Sequence, residues 1–248
     1  MKILVCLSHV PDTTSKINFN PTYEEFDSTG VQFVINPNDE FGLTKAIFLK
    51  EKFGGSVTVL NVGDISTEPT LRKALAIGAD DAIRVNHIPK DSYNVACQIA
   101  EVVKQNNYDV IICGRESIDY NSGLVPGMLA ELLNIPFINS CIGFEPEGSN
   151  ANLIREIDGG EETLSSTMPL VIGGQKGLVN ENDLKIPNMR GIMTARSKPL
   201  KILDAIDVNS KTTSISFNKT EKKAACKFID ADKVEELIDL LHNEAKVI

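Results

Sequence analysis

Val110-Ile111-Ile112-Cys113-Gly114-Arg115-Glu116-Ser117-Ile118-Asp119-Tyr120-Asn121-Ser122-Gly123, running on from Leu124 to Leu133, is the stretch that decides the fold. Its first four residues are apolar and β-prone, the composition of a strand buried on both faces. A polar loop bracketed by Gly114 and Gly123 follows. Val125, Met128, Leu129, Leu132 and Leu133 then recur at helical spacing, which makes one side of a helix apolar. Pro126 has no N–H and belongs in the first turn, where that donor would lack a partner. Ser122 or Gly123 is the expected cap. Strand, polar loop and freshly opened helix together make an anion site, because free N–H groups and the helix dipole face the loop. The same pattern also serves as a plain strand-to-helix connection without a ligand.

Upstream, the chain alternates strand and helix. Ile3 to Leu7 reads as a strand, and Ser8-His9-Val10-Pro11-Asp12 opens a polar excursion to about Thr29. Val31 to Ile35 is a short apolar run stopped by Asn36-Pro37-Asn38-Asp39, which cap a helix from about Glu40 to Phe53, ended by Gly54-Gly55. Strands follow at Val57 to Val62 and Ala82 to Val85, and helices at Thr67 to Ile77 and Ser92 to Gln105. Strands alternating with helical patterns of roughly 10–15 residues imply βαβ crossovers and a mostly parallel sheet with helices on both faces. Ligands of such sheets sit at the carboxyl ends of the strands, near the switch point. Cys6 to His9, Asn36 to Asp39 and Asp119 to Gly127 should converge there, with Val62-Gly63 on the border. No GxGxxG or Walker A loop is present, so architecture gives the place and not the ligand.

Downstream of Ser140 the pattern changes. Cys141 to Phe144, Asn152 to Ile157 and Glu162 to Thr167 are short runs, the last two flanking Asp158-Gly159-Gly160, turn chemistry for an added β-hairpin. Pro169 to Ile172 returns to a buried strand, and Gly173 to Gly191 is a connecting segment. Arg196 to Lys227 has no clear period. Ala231 to His242 carries Val234, Leu237, Ile238 and Leu241 at i, i+3, i+4, i+7, the mark of an amphipathic terminal helix. An α/β domain over residues 1–198 is therefore expected, followed by an extension over 199–248 that lies on a partner.

The totals narrow the classes. At 248 residues, with 42% apolar and 24% charged, the composition is that of a globular protein. No run approaches the roughly 18 apolar residues of a membrane span, and the N-terminus reads as a strand rather than a signal peptide. The formal charge of −9 argues against nucleic-acid binding. Five widely spaced cysteines without a CxxC pair read as reduced, packed thiols of a cytoplasmic protein. Lys185 to Lys201 departs from the acidic average, with five basic residues and no acidic one. His9, His87 and His242 are scattered, and only His9 falls near the expected pocket. No nucleophile–base pair is evident, and the carboxylate clusters lack metal-ligand spacing. No catalytic residue and no metal site is expected.

Arg155-Glu156-Ile157-Asp158-Gly159-Gly160-Glu161-Glu162-Thr163-Leu164-Ser165-Ser166-Thr167-Met168-Pro169-Leu170-Val171-Ile172 resembles the signature of electron-transfer flavoprotein β subunits. Asn36-Pro37, Arg72-Lys73-Ala74-Leu75-Ala76-Ile77-Gly78-Ala79-Asp80 and Gly114 to Asp119 agree in order, so the likeness extends from the first strand to about Leu200. The resemblance implies a Rossmann-like, adenine-nucleotide α-hydrolase-like fold and a heterodimer whose α subunit holds most of a redox-active FAD. It implies a buried adenine nucleotide in this subunit, AMP in one branch. In the electron-bifurcating branch it is a second FAD reduced by NADH. Carried over residue by residue, the nucleotide meets Cys6, Asn36, Pro37, Asn38, Asp39 and Val62. In the loop and helix it meets Asp119, Tyr120, Asn121, Ser122, Gly123, Leu124, Val125, Pro126, Gly127, Met128 and Ala130. Phosphate would lie on N–H groups around Gly123 to Gly127 and adenine near Cys6 and Val62. The loop Tyr120 to Pro126 matches neither branch's pattern, so AMP and FAD both stay open. A recognition loop over about 183–198 would dock flavin dehydrogenases such as acyl-CoA dehydrogenases, with Met189 where the family has leucine and Arg190, Arg196 and Lys198 steering an acidic partner. The implied function is an electron carrier, not an enzyme. A bifurcating subunit oxidising NADH and a free-standing nucleotide-binding module are the alternatives.

Overall fold

The structure, a computed structural model, describes residues 1–221 and 225–248. Residues 222–224 of the expected C-terminal extension lie outside the described residues. The chain opens with β1 (Lys2–Cys6), then β2 (His9–Pro11), β3 (Asn18–Phe19), β4 (Phe26–Asp27) and β5 (Phe33–Ile35). The alternating part comprises α1 (Pro37–Phe53), β6 (Ser56–Gly63), α2 (Glu68–Ile77), β7 (Asp81–Asn86), α3 (Ser92–Lys104), β8 (Val110–Gly114) and α4 (Val125–Leu133). It continues with β9 (Phe137–Glu147), β10 (Asn150–Ile157), β11 (Gly160–Thr167), β12 (Leu170–Gly174), α5 (Met189–Ala195), β13 (Leu200–Asp204) and α6 (Val234–Asp239).

Nine strands form one sheet in the order β11-β10-β9-β12-β8-β1-β6-β7-β13. Neighbours are parallel except β9–β10 and β10–β11, which are antiparallel. This is the α/β Rossmann-like sheet that the strand spacing predicts, with the added hairpin turning at Asp158-Gly159. The chain steps outward from β1 through β6 to β7, then returns to place β8 on the other side of β1. The order therefore reverses between β1 and β8, where ligand crevices open in such sheets.

Strand side chains alternate between two apolar layers. Ile3, Val5, Val57, Val59, Ile112 and Ile172 pack beneath α1 and α2, against Leu43, Ile47, Leu71 and Leu75. Leu4, Leu60, Ile83, Ile111 and Val171 pack beneath α3 and α4, against Ile99, Val103 and Leu129. Burial on both faces is why β1, β8 and β12 are near-continuous apolar runs.

Four local expectations change. The α4 cap is Leu124, without a side-chain cap bond, in place of Ser122 or Gly123. Gly123 is left-handed (φ 60°) and redirects the chain one residue before that cap. Helix α1 begins at Pro37, three residues before Glu40, since a proline at N1 sacrifices no intrahelical bond. The amphipathic stretch Ala231 to His242 forms a helix that starts later, as α6 from Val234, and runs on as a π-helix over Leu240–Glu244. Its Val234, Leu237 and Ile238 stay exposed, so packing among the described residues gives a longer α-helix little support. Finally, β13 lies inside the segment without period and pairs with β7 from Leu200↔Ala82 to Asp204↔Asn86. At the sheet's edge and largely exposed, it needs no apolar alternation. All five cysteines are free; Cys6, Cys113 and Cys141 are packed as expected, while Cys226 is exposed.

Candidate functional site

At the β1/β8 switch point a cavity of about 550 Å³ opens on the α3/α4 face of the sheet. Its floor is the carboxyl ends of three parallel strands: Cys6 to His9 after β1, Leu60 to Asp64 at β6, and Cys113-Gly114 closing β8. Leu60, Val62, Val95 and Ile99 give it an apolar wall. The hydrogen bond with Cys6, reinforced by burial, holds the Cys113 thiol well above the ordinary range, so it stays an S–H in that wall and not a nucleophile.

The opposite side is polar and comes from the opening stretch. Asp119, Tyr120, Ser122, Gly123, Leu124, Val125 and Pro126 line it, with the first turn of α4 behind them. Met128 N already donates to Leu124 O (3.0 Å), whereas the N–H groups of Val125 and Gly127 precede the first intrahelical bond and Pro126 has none to give. A helix N-terminus with free donors favours a negative group. The loop itself is tied down: Asp119 Oδ1 accepts from Ser117 Oγ (2.5 Å) and Tyr120 N (2.8 Å), and Ser122 Oγ lies 3.2 Å from Ser92 Oγ at the start of α3.

Asp39 joins the two strand ends. Its Oδ2 accepts from Ser8 N (2.6 Å) and its Oδ1 from Gly114 N (2.8 Å). Burial pushes its carboxyl up to about 7 despite those donors, which act to lower it. Gly114 is required here, because a Cβ would stand 2.2 Å from Asp39 Oδ1. Asn36 is fully buried; its Nδ2 donates to Glu116 O (3.0 Å) and its Oδ1 accepts from Ile118 N (3.2 Å). Asn38 Nδ2 donates to the same Glu116 carbonyl (3.0 Å). His9 stacks on Phe33 with ring centroids 4.4 Å apart and pairs its Nδ1 with Thr70 Oγ1 (2.7 Å). Burial lowers its pKa, so the imidazole is neutral at neutral pH.

Of the residues predicted from sequence, Cys6, Asp39, Val62, Asp119, Tyr120, Ser122, Gly123, Leu124, Val125 and Pro126 lie on the cavity wall. Asn36 and Asn38 stand behind it and shape the loop, with Pro37 between them. Asn121, Gly127, Met128 and Ala130 are not on the wall; a Cβ at Gly127 would face Phe137, and Ala130 is core. Sequence reasoning missed Ile88 to Ser92 and, from the tail, Thr212 and Ser214. Asp91-Ser92 is readable as a helix cap, and Asp91 does accept from Asn94 N (2.7 Å), but a cap carries no sign that it borders a pocket.

The model of the electron transfer flavoprotein domain matches residues 25–208 of this sequence. The chain belongs to the electron transfer flavoprotein family. It is 36% identical over 262 residues to the electron transfer flavoprotein subunit beta of Bacillus subtilis (strain 168), with all of both chains covered. It is 33% identical over 252 residues to the subunit beta of Syntrophomonas wolfei, covering all of this chain and 98% of that one. A more distant relative, 29% identical over 266 residues, is the acryloyl-CoA reductase electron transfer subunit gamma of Anaerotignum propionicum, with 97% of this chain and 98% of that one covered. Members of this family carry electrons rather than convert substrates. Among the described residues no helix is long and apolar enough to cross a membrane, and no cluster could hold a metal ion.

In this flavoprotein subunit the segment read as a recognition loop holds α5 against α2. Ile186, Met189 and Met193 are 78%, 75% and 70% exposed, a wider apolar patch than Met189 alone. Arg190 and Arg196 are exposed beside it. Lys198 is not displayed: its Nζ donates to Leu75 O (2.9 Å) in the last turn of α2 and to Ala79 O (2.5 Å) just past it. Arg72 Nη1 holds the loop from below through Ala195 O and Lys198 O, both at 2.8 Å.

Proposed function

We propose that the cavity holds an adenine nucleotide and that the chain is the β-type subunit of a heterodimer. Its α partner would carry most of the redox-active FAD, and the pair would shuttle electrons from flavin dehydrogenases. The observation that carries the nucleotide reading is the two-sided cavity at the β1/β8 switch point. Its apolar wall of Leu60, Val62 and Ile99 suits a purine, and the free N–H of Val125 at the start of α4 suits a phosphate. A volume of about 550 Å³ lies within the range of roughly 300–1,000 Å³ of small-ligand sites. Asp39, Asn36 and Asn38 would hold the strand ends and loop in place beneath the ligand without touching it all round.

In this reading the chain makes and breaks no bonds. The flavin supplies the redox chemistry, and this subunit supplies placement, exclusion of water and a docking surface. Ile186, Met189 and Met193 would enter an apolar pocket on a dehydrogenase, with Arg190 and Arg196 steering toward its acidic rim. Met at the anchor position adapts to more than one pocket shape.

Photolabelling with 8-azidoadenosine monophosphate tests the placement. The cross-linked peptide should fall within Cys6 to His9, Leu60 to Thr67, Ile88 to Ser92, Ser117 to Pro126 or Thr212 to Ser214, and unlabelled AMP should suppress the label. Labelling elsewhere, or labelling that AMP does not suppress, contradicts the reading.

A further inference from the structure

Beyond β13 the chain stays on the domain. Gln98 pairs twice with Ile206, its Nε2 donating to Ile206 O (2.8 Å) and its Oε1 accepting from Ile206 N (2.9 Å). Asn94 Nδ2 donates to Val208 O (3.0 Å). Both side chains are buried on α3, so this length of tail is laid along that helix by the helix's own polar groups. At the start of α3 one carboxylate has two tasks. Asp91 Oδ1 caps the helix through Asn94 N (2.7 Å), and Oδ2 accepts from Lys211 N (2.5 Å) and Thr212 N (2.8 Å). Lys211 Nζ sits 5.2 Å from the Tyr93 ring centroid, a second tie at the same point. Thr212 and Ser214 then line the cavity. The far end is fastened to the β3–β4 pair: Phe217 N donates to Tyr23 O (2.7 Å), Phe217 stacks on Phe19 with centroids 5.0 Å apart, and Lys219 Nζ donates to Asn18 Oδ1 (3.0 Å).

We propose that residues 206–219 are a strap forming the outer wall of the nucleotide cavity, latched by Asp91, so that nucleotide retention and tail placement are coupled. The strap is tied at α3 and at the β3–β4 pair, with two cavity-lining residues between the ties. It cannot leave without opening the cavity. It buries little apolar surface, so it belongs to the low-stability part of the fold, where opening is local and costs less than unfolding. Coupling is reciprocal: a nucleotide that touches Thr212 and Ser214 stabilises the closed strap by the same factor by which the closed strap tightens the nucleotide. Asp91 is a positioning residue here, acting on the ligand through the backbone it holds. The coupling rests on the nucleotide reading above; the latch does not.

Asp91→Ser separates the two tasks of the carboxylate. Serine keeps one side-chain oxygen for the helix cap and removes the oxygen that holds Lys211 and Thr212. In the full chain without ligand, trypsin should cut at Lys211 and Lys219 several-fold faster in the variant than in the unsubstituted protein. AMP should slow cleavage of the unsubstituted protein, and calorimetry should show its affinity falling roughly tenfold or more in the variant, which loses both backbone hydrogen bonds to the carboxylate. Equal cleavage in both proteins overturns the latch. Faster cleavage with equal AMP affinity overturns the coupling. Failure of the unsubstituted chain to bind AMP overturns the nucleotide reading and the coupling with it, while the cleavage comparison still decides the latch.

Discussion

At the scale of single residues, Asp39 ties the site to pH. Its carboxyl lies between the ends of β1 and β8, and burial raises it from 3.8 to about 7. A raised acid pKa means the folded protein favours the protonated form. The stabilisation this gives is complete below the ordinary value of 3.8, declines as pH rises, and is gone above about 7. Asp39→Asn cannot titrate, and its amide would meet one N–H donor with another, a constant cost of about 1–3 kcal/mol. Thermal unfolding from pH 5 to pH 8 should therefore show the variant furthest below the unsubstituted protein at pH 5, with the gap narrowing toward pH 8. A gap independent of pH contradicts the assignment. Asp39 stood out in the sequence as part of a helix start after Asn36-Pro37. Its bridge to Ser8 and Gly114 was not legible, because those partners lie 31 and 75 residues away along the chain.

At the scale of elements, the legible ones were those whose burial is symmetric. β1, β8 and β12 are apolar on both faces, and their composition alone marks them. β13 and α5 were not legible, since each owes its place to a neighbour. β13 is an edge strand set by its register with β7, and α5 is seven residues long and held by α2. The contact between α5 and α2 is close enough to test. A Cβ at Gly191 would stand 2.2 Å from Ala76 O, so Gly191→Ala must push α5 off the end of α2. Amide exchange across Met189–Ala195 should quicken and electron delivery from a dehydrogenase should weaken, with nucleotide content unchanged. The expected cost is about 1–3 kcal/mol, typical of overpacking. Unchanged exchange would show that α5 does not depend on that contact, and lost nucleotide would show that the docking element and the cavity are not separate.

At the scale of the whole molecule, one end of the chain remains unfinished by its own packing. Ile215 and Phe228 are 85% and 91% exposed, and Val234, Leu237 and Ile238 on α6 are exposed among the described residues. Apolar surface of this kind marks an interface, and in the proposed heterodimer the α subunit covers it. The strand-and-helix alternation made the sheet and its switch point readable from sequence. The tail was not readable, because the order it has comes from α3 and from the β3–β4 pair, far away along the chain. The central claim is that this assembly is an electron carrier with a structural mononucleotide. The nucleotide inventory of the purified heterodimer after denaturation tests it directly. One FAD and one AMP per heterodimer is the predicted result; two FAD with no AMP, together with reduction of the intact protein by NADH, would contradict it.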